Sequence, residues 1–197
     1  MKMGGRTLAT ALAAILLLAC GGIGWFTWTK FQDAGAAESA FGAAFKLTDD
    51  RGQPITEAAL QGHPSLIYFG YTHCPDVCPT TLYDMAGWFK TLGPDAGGLK
   101  AYFFSVDPER DTAEIMHSYT SNFTDRITGI TGDPVEMQKA VKGWRIYAKK
   151  VPTPDGDYTM DHTASVVLVD AKGNFRGTIS YGEDTEVALK KIRNVVQ

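Results

Sequence analysis

Cys74 and Cys78 stand in the stretch FGYTHCPDVCPTTLYDM, and they are two of only three cysteines in the chain. Thiols at this spacing could form a redox pair, a metal clamp or a structural disulfide. Pro79 narrows the geometry. Proline is tolerated in the first turn of a helix but breaks its interior, so the spacing predicts a helix that begins near Cys78. Cys74 then belongs to a loop, HCPDV, folded back over that helix start. Helix N-termini favour anions, which places both sulfurs where a thiolate is stabilised. Reactive sulfur at a strand-to-helix turn is the reading. Thioredoxin-type exchangers place two residues between their cysteines, whereas three stand here, Pro75, Asp76 and Val77.

A third partner is needed to choose between exchange and ligation. Thioredoxin-type sites carry a proline before the strand that faces the cysteines. The matching stretch here is YTMDHTASVVLV, which holds His162 and no proline. Two thiols and an imidazole form a soft, incomplete ligand set that suits Cu(I), Cu(II) or Zn(II). A hydrogen-bonded structural histidine is the competing reading of His162. Nearby polar residues are weighed in the same way. His73 reads as a shaping residue, Asp76 as a turn or thiol-tuning residue, and Asp161 as a carboxylate placed to orient His162. DPERD (107–111) reads as a polar connection into a capped helix. His63 and His117 are assigned no role, and the scattered methionines form no metal motif.

The elements that must position these groups follow from hydrophobic pattern. FKLTDDRGQPI alternates about Asp50-Arg51-Gly52 and reads as a hairpin. SLIYFGY (65–71), AYFFSV (101–106) and ASVVLV (164–169) are continuous apolar runs suited to strands covered on both faces. FRGTISY (175–181) reads as an edge strand with Phe175, Ile179 and Tyr181 on one face. Leu82, Met85, Phe89 and Leu92 share a helix face, as do Met137, Val141 and Trp144, and Leu189, Ile192 and Val196. DTAE (111–114) and DPVE (133–136) are helix-start signatures, with Asp111 and Asp133 in the capping position. Alternation of this kind predicts an α/β domain with a mixed sheet flanked by helices, and a cysteine pair after the first buried strand is the layout of a thioredoxin-like fold.

The chain has 197 residues and a formal net charge of −3, with no basic cluster, so a nucleic-acid partner is not expected. Residues 7–29 are uncharged and long enough to cross a bilayer as a helix. Lys2 and Arg6 precede them and Trp25 and Trp28 lie near the far end, which orients the N-terminus to the cytoplasm. The expected organisation is a cytoplasmic N-terminus at 1–6, a transmembrane anchor at 7–29, a tether at 30–42 and a folded domain at 43–197, in the periplasm of a bacterial inner membrane. A cleaved signal peptide and a lipoprotein site at Cys20 are the alternatives. Each places the domain where disulfides persist.

Three blocks, YFGYTHCPDVCPTTL (68–82), FFSVDPERDT (103–112) and DHTASVVLVDAKG (161–173), together resemble the Sco/SenC family of copper-binding proteins. The likeness runs from about Phe45 to the C-terminus. It implies a membrane-anchored, thioredoxin-like protein that serves in assembling the copper centre of cytochrome c oxidase subunit II. It makes Cys74, Cys78 and His162 the copper ligands. The resulting expectation is a metallochaperone without enzymatic turnover, working with the oxidase subunit and with other periplasmic copper chaperones or thiol reductases. The alternative is a thiol–disulfide reductase that keeps the cysteines of the oxidase copper site reduced, and a peroxidase stands third.

Overall fold

A computed structural model of the chain describes Gly42 and residues 44–197. The expected N-terminus, anchor and all but the last of the tether residues lie outside the described residues, as does Cys20. Among the described residues no helix is long and apolar enough to cross a membrane.

The elements in chain order are β1 (Lys46–Asp49), β2 (Pro54–Thr56), a 3₁₀ turn (Glu57–Leu60), β3 (Ser65–Gly70), α1 (Val77–Leu92), a second 3₁₀ turn (Gly93–Ala96), β4 (Lys100–Ser105), α2 (Ala113–Thr120), β5 (Ile127–Thr131), α3 (Pro134–Gly143), β6 (Ala148–Pro152), β7 (Tyr158–His162), β8 (Ser165–Val169), β9 (Phe175–Ser180) and α4 (Thr185–Val196). A seven-stranded sheet runs in the order β2-β1-β5-β4-β3-β8-β9, and β6 and β7 form a separate two-stranded hairpin. Strands β3, β4 and β5 are parallel, while β1, β8 and β9 pair antiparallel with their neighbours.

The apolar run SLIYFG of β3 occupies the middle of this sheet, and all six of its residues are buried. Side chains on a strand alternate between faces. Tyr68 and Gly70 therefore look toward α1, and Tyr68 stacks on Phe103 of β4. Phe69 looks the other way, stacking on Phe104 and meeting Trp144 at the end of α3. Burial of these aromatic side chains, at about 2–3 kcal/mol each, carries much of the core. The predicted hairpin at 46–56 forms. Asp49 Oδ1 accepts from the amides of Arg51 and Gln53, and Gly52 takes the left-handed conformation that the turn requires.

Two expectations are corrected. Helix α2 is capped by Thr112, whose hydroxyl accepts from the Ile115 amide, and Asp111 is turned into the interior with none of its surface exposed. In β9, Ile179 is buried, but Phe175 and Tyr181 are exposed. A register shift accounts for Phe175: Leu168 pairs with Gly177 while Val169 pairs with Phe175, so the alternation breaks at Arg176, whereas Tyr181 lies just beyond the end of β9. His162 does precede β8, and it also ends β7, paired with Ala148, in a hairpin that the sequence pattern did not disclose.

Candidate metal centre

The chain rises through β3 to Gly70, turns at residues 71–74 with the Cys74 amide donating to the Tyr71 carbonyl, and enters α1 at Val77. Asp76 occupies the cap position of α1 without a side-chain capping bond. The Cys78 amide, one of the unsatisfied donors of the first turn, instead points at the Cys74 sulfur, 3.4 Å away. Cys78 is completely buried, whereas Cys74 and His162 are half-buried. The pair is graded from solvent to interior.

His162 arrives from the other side of the cleft. Its Nε2 lies 3.3 Å from the Cys78 sulfur across 84 residues of sequence. Its Nδ1 lies 3.1 Å from the Thr163 carbonyl. A carbonyl oxygen only accepts, so Nδ1 carries a proton there, and in the neutral ring the Nε2 lone pair faces the sulfurs. The rings of Tyr68 and Tyr71 meet the imidazole edge-on and restrict its tilt. The Tyr68 hydroxyl also donates to Cys78 Sγ, at 3.7 Å.

The three ligand atoms lie within 4.8 Å of one another, and no other such grouping of Cys, His, Asp and Glu side chains occurs among the described residues. Both cysteines are free thiols. Their acidities diverge. The Cys74 thiol falls well below the ordinary range because its thiolate accepts a hydrogen bond from the Cys78 thiol; burial opposes this, and the amides of Asp76 and Cys78 reinforce it. Cys78 is pushed up, first by giving that hydrogen bond and then by burial. The first thiolate therefore forms on the more exposed sulfur. An attacking nucleophile and a metal ligand both need that form.

Cys74, Cys78 and His162 thus come together as the residue types suggested. The other candidates do not join them. His73 is half-exposed and turns to the Thr72 hydroxyl, 3.1 Å away, with Asp111 beyond at 3.9 Å. Asp161 is exposed and paired across the hairpin with Lys149, so the Thr163 carbonyl, and not Asp161, orients the imidazole. Met85, Met116 and Met137 are core residues.

Sequence reasoning overlooked Gly70, Tyr68 and the buried carboxylates of DPERD. A β-carbon at position 70 would fall 2.8 Å from Cys78 Sγ and 2.8 Å from the Phe103 ring, so the absent side chain makes room for the sulfur. A glycine inside an otherwise apolar strand run was the available signal.

A mixed sheet whose central strand leads through a two-cysteine turn into a helix, faced by a histidine, defines a thioredoxin-like protein with a soft metal-binding type of site. A family model described as SCO1/SenC matches residues 33–197, and the chain belongs to that family. It is 36% identical over 163 residues to the mitochondrial SCO1 homolog 1 of Arabidopsis thaliana, covering 80% of this chain and 49% of that protein. It is 35% identical over 161 residues to mitochondrial SCO2 of Saccharomyces cerevisiae, covering 80% and 54%. The chain thus spans about half the length of these relatives. Among solved structures, it is similar to Bradyrhizobium japonicum ScoI with copper bound, with a TM-score of 0.73, 47% identity, and coverage of 79% of this chain and 99% of that one. Yeast Sco1 with copper bound gives a TM-score of 0.73 at 35% identity, covering 79% and 87%.

Proposed function

We propose that this protein is a copper metallochaperone that carries its cargo on Cys74, Cys78 and His162 and serves in the assembly of cytochrome c oxidase, with the copper centre of subunit II as the destination. The observation that carries the reading is the convergence of two thiol sulfurs and one oriented imidazole within 4.8 Å. The donor set fits copper: thiolates favour Cu(I), and imidazole suits both oxidation states. Three protein ligands leave room for an incoming ligand from an acceptor, so cargo can pass by exchange without release. Oxidation of Cys74 and Cys78 to a disulfide would remove two of the three ligands and expel the cargo. Residues 7–29 serve as the membrane anchor in this reading, with the folded domain in the periplasm. The structural likeness to copper-bound ScoI and Sco1 supports the choice of metal.

The test is an anaerobic Cu(I) titration of the reduced full chain in detergent against a chromogenic chelator. One tight equivalent is expected, abolished by the Cys74→Ala/Cys78→Ala double substitution and clearly weakened by His162→Ala. Binding too weak to compete, or indifferent to His162, would sink the reading.

The raised acidity of Cys74 favours a second reading, in which the dithiol reduces a disulfide of an oxidase subunit. The Cys74 thiolate would attack one sulfur of that disulfide and release the other as a thiolate. Cys78, losing its proton, would then attack Cys74 and release the second thiolate, so that two electrons pass to the partner. A periplasmic dithiol would restore the pair. This reading has no need of His162.

A further inference from the structure

The two segments that bring sulfur and imidazole together are not joined by sheet hydrogen bonding. Cys74 lies in the turn after β3, and His162 ends a hairpin outside the seven-stranded sheet. The loop between β4 and α2 reaches both. Asp111, with no exposed surface, accepts from the Thr72 amide at 3.3 and 3.2 Å and from the Thr72 hydroxyl at 2.6 Å, two residues before Cys74. The Ser105 hydroxyl donates to its other oxygen at 2.6 Å, and its backbone carbonyl accepts from Thr131. Asp111 is thus anchored to β4 through its carboxylate and to β5 through its backbone carbonyl, and the carboxylate in turn holds the turn that bears Cys74.

The same loop grips the hairpin. Arg110 Nε donates to Asp107 at 2.5 Å, and its Nη1 donates to the Tyr158 carbonyl and to Asp157, each at 3.2 Å. Its guanidinium lies 3.7 Å over the Tyr158 ring, a cation–π contact, and 5.9 Å from the Tyr71 ring that edges His162. The Tyr158 hydroxyl donates to the other Asp107 oxygen at 2.9 Å. Lys150 of β6 adds a bond to Glu109, at 2.8 Å. Asp107 has 1% of its side-chain surface exposed and Arg110 18%, so this is a largely desolvated ion pair, where loss of one partner is costly. Tyr158 is the first residue of β7 and His162 the last.

We propose that Asp107, Arg110 and Asp111 form a positioning brace for the site, with Asp111 setting the turn that carries Cys74 and the Asp107–Arg110 pair setting how far the His162 hairpin stands from the thiols. None of the three touches a ligand atom; they act through Thr72 and through Tyr158. The part that concerns copper rests on the metallochaperone reading. The part that concerns the thiols does not.

The test is a pair of double-mutant cycles on the full 197-residue chain in detergent. One reads Cu(I) affinity by anaerobic chelator competition. The other reads, without metal, the rate at which iodoacetamide alkylates Cys74, resolved from Cys20 and Cys78 by peptide mass spectrometry. Arg110→Gln is expected to weaken Cu(I) binding roughly tenfold, and to change it by less than about twofold once His162→Ala is present. Arg110→Lys, which keeps the charge but loses the fork, falls between. Tyr158→Phe removes one hydroxyl without unfolding the hairpin, and a smaller loss with the same dependence on His162 is expected. Asp111→Asn is expected to shift the Cys74 alkylation rate several-fold whether or not His162 is present.

Equal factors for Arg110→Gln in both backgrounds would mean general loosening and overturn the brace. An unchanged Cys74 rate in Asp111→Asn would overturn it too. If the parent chain binds no Cu(I), the metallochaperone reading fails and the metal-free cycle decides alone: Arg110→Gln must then alter Cys74 alkylation only while His162 is present.

Discussion

Gly70 stands directly beneath the sulfur of Cys78, so close that a β-carbon there would lie 2.8 Å from Sγ. The other obstruction is the edge of the Phe103 ring, itself stacked on Tyr68, and neither neighbour has free space to retreat into. Gly70→Ala is expected to cost about 1–3 kcal/mol of stability, the usual range for overpacking a core. It is also expected to push Cys78 away from His162 and weaken Cu(I) binding. Chemical denaturation and chelator competition on the same samples measure both effects. A stable variant with unchanged affinity would show that the sulfur has slack the geometry does not suggest.

The divided acidities of the thiols set the pH dependence of their chemistry. The hydrogen bond from Cys78 stabilises the Cys74 thiolate and makes Cys74 the more acidic thiol, while giving that bond and burial make Cys78 the less acidic one. A free thiol titrates near about 8.5. The alkylation rate of Cys74 should therefore be flat around neutral pH and fall only as pH drops well below that value, when the thiolate takes up its proton. Cys78 should stay unmodified across the same range. Mass-resolved alkylation between about pH 4 and 9 checks this, and prior modification of Cys78 would reverse the assignment of the nucleophile.

Asp161 adjoins His162 in sequence but points to solvent from the hairpin, and the imidazole Nδ1 is held by the Thr163 carbonyl. Asp161→Ala should leave Cu(I) affinity within about twofold of the parent, because exposed charges contribute little. His162→Ala should weaken it by at least an order of magnitude if the imidazole is a ligand. Titrations of the two variants side by side separate orientation by a carboxylate from orientation by the backbone.

Helix α3 ends with Arg145 at a φ of 54°, a left-handed conformation that glycine adopts at no steric cost. The Ile146 amide donates to the Val141 carbonyl at 2.9 Å, which closes the terminal turn. Arg145→Gly should raise stability by about 1 kcal/mol, because the side-chain penalty of that conformation disappears. A thermal melt of metal-free protein would show it as a rise of about 2–4 °C. A fall would mean that the Arg145 side chain contributes more than its backbone costs.

Much of the site was legible from local chemistry. Pro79 placed the helix start, the apolar run 65–71 placed the central strand, and the absence of a proline before 164–169 drew attention to His162. Such features are recorded in neighbouring residues, where steric and hydrophobic rules act over a few positions. The capping residue of α2 was misplaced because Asp111 and Thr112 are equally good local caps, and only the burial of Asp111 against Thr72 and Ser105 separates them. The hairpin at 148–162 was missed because its burial follows no simple alternation, with Lys149 and Lys150 adjacent and exposed.

By itself, then, the sequence determined an α/β domain, the two thiols at a helix start, and a histidine of the right type, because each is written in residues a few positions apart. Only the tertiary structure decided that His162 Nε2 reaches a sulfur 84 residues away, that Gly70 clears the space for it, and that one polar loop grips both approaches. The physical reason is that ligand distance depends on how separate segments pack. Packing is settled by the whole core and by the buried hydrogen bonds that must be satisfied within it.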